Sequence, residues 1–102
     1  MSIQNPWEKS QPYRTKVYTS MQNIMANLWA RYQDEGRYED WKEYEAKLRE
    51  IFEQSQPELK FIKATRRPFG ITYEIPELNM TINLSCKANR GYLTYTSEIL
   101  SH

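Results

Sequence analysis

The sequence has almost none of the residues that build metal sites, disulfides and common acid–base catalysts. The only cysteine is Cys86 and the only histidine is His102. A single cysteine cannot form an internal disulfide or a cysteine-based zinc site. Without an internal histidine, the chain also lacks the commonest general base. We therefore expect no metal site, no cofactor and no catalytic residues.

Long apolar runs and glycine-rich loops are also missing. No window approaches the ~20 apolar residues of a membrane span, and residues 1–6 carry neither the charge nor the apolar stretch of a signal peptide. The three glycines, Gly36, Gly70 and Gly91, are isolated, which excludes a phosphate-binding loop. The sequence therefore predicts a soluble cytoplasmic protein that does not bind membranes.

Charge of either sign is not in excess. Fourteen Lys and Arg residues oppose thirteen Asp and Glu residues, which gives a formal net charge of +1 at pH 7. This balance removes the overall electrostatic argument for binding nucleic acid or an anionic membrane. Any such partner has to be argued from a local patch.

Aliphatic side chains are scarce as well. Ile, Leu, Val and Phe together number nineteen, just under the fifth of the chain below which disorder becomes a concern. Eight Tyr, three Trp and the small net charge are the opposite of a disordered composition. We therefore expect one folded domain over residues 1–102 whose core and surface both use Tyr and Trp.

The N-terminal half predicts an extended arm and a helix. Residues 1–11 contain a proline and a lone Trp7, which suits an extended arm anchored by that tryptophan. Ser10 can cap a helix over residues 12–35, and Gly36 can end it. The apolar positions recur at helical spacing: Tyr13, Val17, Met21, Ile24 and Leu28.

A second helix is predicted over residues 38–55, where apolar side chains again share one side and Pro57 follows. The link between the two helices is short, which favours an antiparallel helical hairpin. After Pro57 the apolar period changes to two, and this alternation predicts an antiparallel sheet over residues 58–98.

The resulting fold class is α+β. We expect a two-layer sandwich of the order ααββββ, in which the helical hairpin packs on a three- to four-stranded antiparallel β-meander. The sheet face away from the helices should be polar and solvated, with Thr72, Glu74, Thr81, Asn83, Ser85, Lys87, Thr94 and Thr96.

The first helix carries more apolar surface than a simple core stripe, over an arc of roughly 160°. Either the second helix and the arm cover this surface, or it binds a partner, because Tyr, Trp and Met are favoured at interfaces. The favoured function is a small non-enzymatic interaction module, an adaptor, inhibitor or accessory subunit. It would bind another protein or a second copy through Trp7, Tyr18, Met25, Trp29 and Tyr32.

The alternative function is a nucleic-acid-binding module. Arg66 and Arg67 lie between two predicted strands, where an exposed loop could meet phosphates. The alternative interpretation of these charges is a solvated turn, with lysines that discourage pairing at a sheet edge. The candidate residues are Lys60, Lys63, Arg66, Arg67, Lys87 and Arg90.

A third hypothesis is a ribonuclease that works without histidine. Small toxins of the RelE type cleave RNA in this way and pair two helices with a sheet, so the analogy is one of architecture. Cys86 does not contribute a nucleophile, because its period-two position predicts that it points into the core. The candidate residues of this ribonuclease are Arg66, Arg67, Glu74, Tyr92 and Tyr95.

Overall fold

Helices precede a four-stranded antiparallel sheet in the computed structural model, which describes residues 5–32, 38–66 and 69–101. Each strand pairs with the next one along the chain, so the sheet order is β1-β2-β3-β4 and the α+β meander is confirmed. The elements are α1 (Pro6–Lys9), α2 (Gln11–Tyr32), α3 (Tyr38–Ser55), β1 (Lys60–Arg66), β2 (Phe69–Ile75), a 3₁₀ turn (Pro76–Leu78), β3 (Met80–Asn89) and β4 (Tyr92–Ser101). No described helix combines the length and the apolar composition needed to cross a membrane.

The N-terminal arm differs from the expected extended segment. Pro6–Lys9 forms one turn of helix, because the Asn5 side chain accepts the Glu8 amide N–H at 2.8 Å and the Glu8 carboxylate accepts the Asn5 amide N–H at 3.3 Å. This reciprocal pair is a capping box. Pro6 suits the first helical position, where an amide proton has no partner to lose.

The last strand runs further than expected. The sequence places the end of the sheet at residue 98, whereas β4 continues to Ser101. Ile99 stays in phase with Leu93 and Tyr95 and pairs with Ile82 of β3. Glu98 therefore does not end the strand, because its side chain lies on the opposite face.

The core lies between the helices and one face of the sheet. Alternate residues of β2 and β3 point toward the helices and are buried, as the period-two pattern predicts. Cys86 belongs to this set, and burial raises the pKa of its thiol to about 11, so the thiol is protonated at neutral pH. The fully buried apolar side chains of the helices are Val17, Met21, Met25, Leu28, Tyr44, Leu48 and Phe52.

The two long helices are antiparallel. Gln56, just beyond the end of α3, donates through Nε2 to Ser20 Oγ at 2.8 Å and to the Lys16 carbonyl at 3.4 Å. Lys16 also forms an exposed ion pair with Glu58 at 3.1 Å. These contacts join the end of α3 to the first half of α2, as expected for a helical hairpin.

The outer face of the sheet is not uniformly solvated, and the expectation was wrong at two positions. Thr72 is 2% exposed and Asn83 is 9% exposed. Asn83 donates through Nδ2 to the Ile71 carbonyl at 3.0 Å, to Thr72 Oγ1 at 3.1 Å and to Thr65 Oγ1 at 3.4 Å. Both residues lie on the central strands, where neighbouring strands shield them and the amide can satisfy its protons internally.

Two buried tyrosines should respond in opposite ways to loss of the hydroxyl. Tyr44 donates to the Gly70 carbonyl at 3.1 Å, whereas the Tyr73 hydroxyl has no hydrogen-bond partner among the described residues. Burial raises the pKa of both phenols, so both hydroxyls are protonated at neutral pH. Tyr44→Phe should lower the free energy of unfolding by about 1 kcal/mol, and Tyr73→Phe should raise it by up to about 1 kcal/mol. Urea denaturation of the pair measures both signs, and equal losses in the two variants would contradict the difference in bonding.

Candidate partner-binding cleft

A shallow cleft with a volume of about 540 Å³ opens between the N-terminal half of α2 and the edge strand β4. It exists because α2 does not fully cover the helix-facing side of β4, whose inward side chains are only half-buried. We call it the aromatic cleft. Its main walls are Trp7, Arg14 and Tyr18 on the helical side and Tyr92, Leu93 and Tyr95 on the strand side.

Trp7 is held in the wall of the aromatic cleft by the junction of α1 and α2. Its carbonyl accepts a hydrogen bond from Ser10 Oγ at 2.7 Å and another from Arg14 Nη2 at 2.7 Å. The Arg14 guanidinium also lies 3.5 Å from the centroid of the Trp7 ring, a cation–π contact. Ser10 directly precedes α2, and its carbonyl accepts the Arg14 amide N–H at 2.9 Å. Its buried side chain accepts from Arg14 Nε at 2.8 Å and so fixes the junction of α1 and α2.

The floor of the aromatic cleft is an aromatic pair that links α2 to β4. The rings of Tyr18 and Tyr95 meet edge to face, with centroids 5.3 Å apart and planes at 76°. The Tyr95 hydroxyl donates to the Gln22 carbonyl at 2.9 Å, and burial raises the pKa of this phenol. Tyr95 is therefore fixed between the two elements, whereas Tyr18 remains 40% exposed.

Arg14 is the only charged residue among the described residues that line the aromatic cleft. Desolvation lowers the pKa of its guanidinium from the usual value, and no lining carboxylate neutralises its charge. The lining therefore offers aromatic contact area and one cation. Elsewhere in the described part of the chain, no three His, Cys, Asp or Glu side chains are grouped so that they could hold a metal ion.

The five residues that the sequence suggests for partner binding lie in different environments in the structure. Trp7 and Tyr18 both line the aromatic cleft, and Trp29 is half-buried against the core. Met25 was assigned wrongly to this surface, because it is completely buried within the core cluster that α2 forms with its neighbours. The side chain of Tyr32 lies outside the described residues.

Sequence reasoning missed the contribution of β4 to the aromatic cleft. Tyr95 was expected to fall with the apolar residues of the sheet, and Leu93 was not singled out. Arg14 was not singled out at all, and its contact with Trp7 depends on how α1 and α2 meet at Ser10. Tyr92 was considered only for RNA binding or cleavage, and it is 60% exposed at the rim of the aromatic cleft.

The basic residues proposed for nucleic-acid binding are divided along the sheet, with Arg66, Lys87 and Arg90 toward the end where Phe69 pairs with Cys86. Lys60 lies at one end of β1, paired with Glu74, and Arg66 lies at the other end, about 20 Å away at 3.3 Å per residue. The others are distributed as follows: Lys63 within β1, Lys87 near the end of β3, Arg90 in the turn before β4 and Arg67 outside the described residues.

The proposed ribonuclease residues are not brought together either. Arg66 pairs with Phe69 at one end of β2, and Glu74 lies five residues further along that strand. The Tyr95 hydroxyl is already bonded to the Gln22 carbonyl. The described members of this set therefore share no common site.

Known proteins give no assignment for the aromatic cleft. The chain matches no protein-family model, no curated protein and no solved structure. Its function has to be argued from its own residues.

Proposed function

We propose that this chain is a small cytoplasmic protein-interaction module, an adaptor, inhibitor or accessory subunit, that binds another protein in the aromatic cleft. The observation that carries the proposal is the convergence of three exposed aromatic side chains, Trp7, Tyr18 and Tyr92, on one concave surface beside Arg14. Trp, Tyr and Arg are the residues that most often carry the binding energy of protein interfaces.

The rigidity of the aromatic cleft supports this proposal. The Arg14 side chain is fixed by hydrogen bonds to Ser10 Oγ and the Trp7 carbonyl and lies against the Trp7 ring, so it loses little freedom when a partner binds. The partner should present an apolar side chain to Tyr18 and Leu93 and an acceptor oxygen, a carbonyl or a carboxylate, to the guanidinium of Arg14.

Removal of the Trp7 and Tyr18 side chains should abolish capture of the partner. In the double variant Trp7→Ala/Tyr18→Ala, removal of two hot-spot side chains at about 2 kcal/mol each should weaken binding by a factor of roughly 1,000. Affinity capture from lysate with quantitative mass spectrometry measures this as proteins retained by the wild type and lost by the variant. Circular dichroism checks that the variant is folded.

The matched control is Ile62→Ala, because Ile62 is 38% exposed, comparable to Trp7 at 37%, and lies on the opposite edge strand β1. It should capture the same proteins as the wild type. If all three proteins capture the same set, the aromatic cleft is not the binding surface. If capture disappears after nuclease treatment of the lysate, the nucleic-acid alternative is favoured instead.

A further inference from the structure

The two edges of the sheet are built differently. At β1, the backbone is tied to α3, because the Ala64 amide donates to Glu45 Oε2 at 2.9 Å. Arg49 donates to the Phe61 and Ile62 carbonyls at 3.5 and 3.3 Å. The register with β2 also shifts at Ile62, which indicates a bulge. Bulges, covering side chains and edge lysines such as those of β1 are the features that prevent another strand from adding.

The opposite edge has little of this protection. β4 is ten residues long, contains no Lys, Arg or Pro, and carries a single charge at Glu98. Its register with β3 is regular from Tyr92 to Ile99, and the only shift is at Leu100 near the far end. No described residue hydrogen-bonds to its outward backbone groups. A long regular edge strand of this kind presents a row of N–H and C=O groups to another strand.

We propose that β4 pairs antiparallel with β4 of a second copy of this chain, so that two four-stranded sheets join into one of eight strands. The register that fits best places the two-fold axis at Thr96. In this register Thr96 faces its own copy, Thr94 faces Glu98, Leu93 faces Ile99, and Tyr92 faces Leu100.

The strand is complementary to itself in this register. Tyr92 and Leu100, which are 60% and 51% exposed in one copy, cover each other at both ends of the interface. Leu93 and Ile99, both half-buried, form a second apolar pair on the helix-facing side. The only charge of the strand, at Glu98, meets a hydroxyl instead of a second carboxylate, and the net charge of +1 gives little repulsion between copies.

The protected β1 edge limits the assembly to two copies. A contact between β4 and β1 would repeat head to tail and would grow without limit. Because β1 is blocked, pairing of β4 with β4 is the only strand addition that remains, and this isologous contact closes as a dimer.

This dimer does not rest on the proposed function of the aromatic cleft, although Tyr92 and Leu93 line the cleft and also lie in the pairing row. Thr96 does not line the cleft, so a change at Thr96 tests the edge alone, whereas Trp7 and Tyr18 lie away from the pairing row. Failure of one proposal therefore leaves the other standing.

Like charges placed on the two-fold axis should separate the copies. Sedimentation equilibrium of the whole chain should show a dimer for the wild type, and Thr96→Lys and Thr96→Glu should each weaken the dimer by about tenfold or more. An equimolar mixture of the two variants should restore the dimer, because opposite charges then face each other. Ile62→Lys on β1 is the control and should leave the dimer unchanged.

Three outcomes would overturn the proposal: a wild-type monomer at the highest soluble concentration, a dimer that neither variant weakens, or variants that the mixture does not rescue. If Thr96→Lys forms a stronger dimer than the wild type, the two-fold axis lies one residue further along, where Thr96 faces Glu98. This result would refute the register given above. Hydrogen exchange gives a measurement without variants. The outward amides of β4 should exchange more slowly in concentrated than in dilute wild-type protein, and equal rates would also refute the dimer.

Discussion

Replacement of Gly70 by alanine should lower the free energy of unfolding by about 3 kcal/mol, because no room exists for a methyl group at this position. A Cβ atom there would overlap the Leu84 carbonyl oxygen and would lie 2.7 Å from Ser85 Cα. Both are backbone atoms of β3, so they can yield only if the two central strands separate. Separation would also disturb the hydrogen bond from Tyr44 to the Gly70 carbonyl.

Thermal denaturation should show the change as a drop in the melting temperature of about 12 °C or more. Gly91→Ala is the matched control, because nothing lies within 4 Å of a Cβ atom at Gly91 and only its positive φ of 88° opposes the substitution. That backbone strain should lower the free energy of unfolding by about 1 kcal/mol. If Gly91→Ala proves the more damaging of the two, the close approach of β2 and β3 at Gly70 is refuted.

Met25→Ala should lower the free energy of unfolding by about 3 kcal/mol, whereas Tyr18→Ala on the same helix should lower it by only about 1 kcal/mol. Met25 is completely buried, so truncation leaves a cavity in the core. Tyr18 is 40% exposed and loses mainly its edge contact with Tyr95. Urea denaturation of both variants measures the difference.

The conservative variant Met25→Leu separates stability from binding. It keeps nearly the same volume, so it should cost less than about 1.5 kcal/mol and should retain every captured protein. Tyr18→Ala should show the reverse pattern, with a stable fold and weakened capture. If Met25→Leu is folded but does not capture the partner, Met25 contributes to partner binding after all.

Much of the fold follows from local patterns in the sequence. The bounds of β2, Phe69–Ile75, can be obtained from strict alternation and the proline that follows. The short helix at Pro6–Lys9 was also available from the sequence, because Asn5 and Glu8 have the spacing of a capping box. It was missed because two prolines and a tryptophan nearby favoured an extended arm.

The aromatic cleft could not be obtained from the sequence in the same way. The apolar arc of α2 is visible in the helical periodicity, but which part is covered depends on where α3 and β4 lie against it. Met25 falls on the covered side and Tyr18 on the open side, although both belong to the same arc. The blocked edge at β1 is equally hidden, because it depends on Glu45 and Arg49 reaching across from α3.

The order of the strands also bears on how this chain folds. Every pairing in the sheet joins consecutive strands, so the sheet can assemble from short hairpins with little loss of loop entropy. The link between Gln22 and Tyr95 spans 73 residues, so the wall of the aromatic cleft can close only after both halves of the chain have formed. We therefore expect the wall of the aromatic cleft to form later in folding than the local hairpins of the sheet.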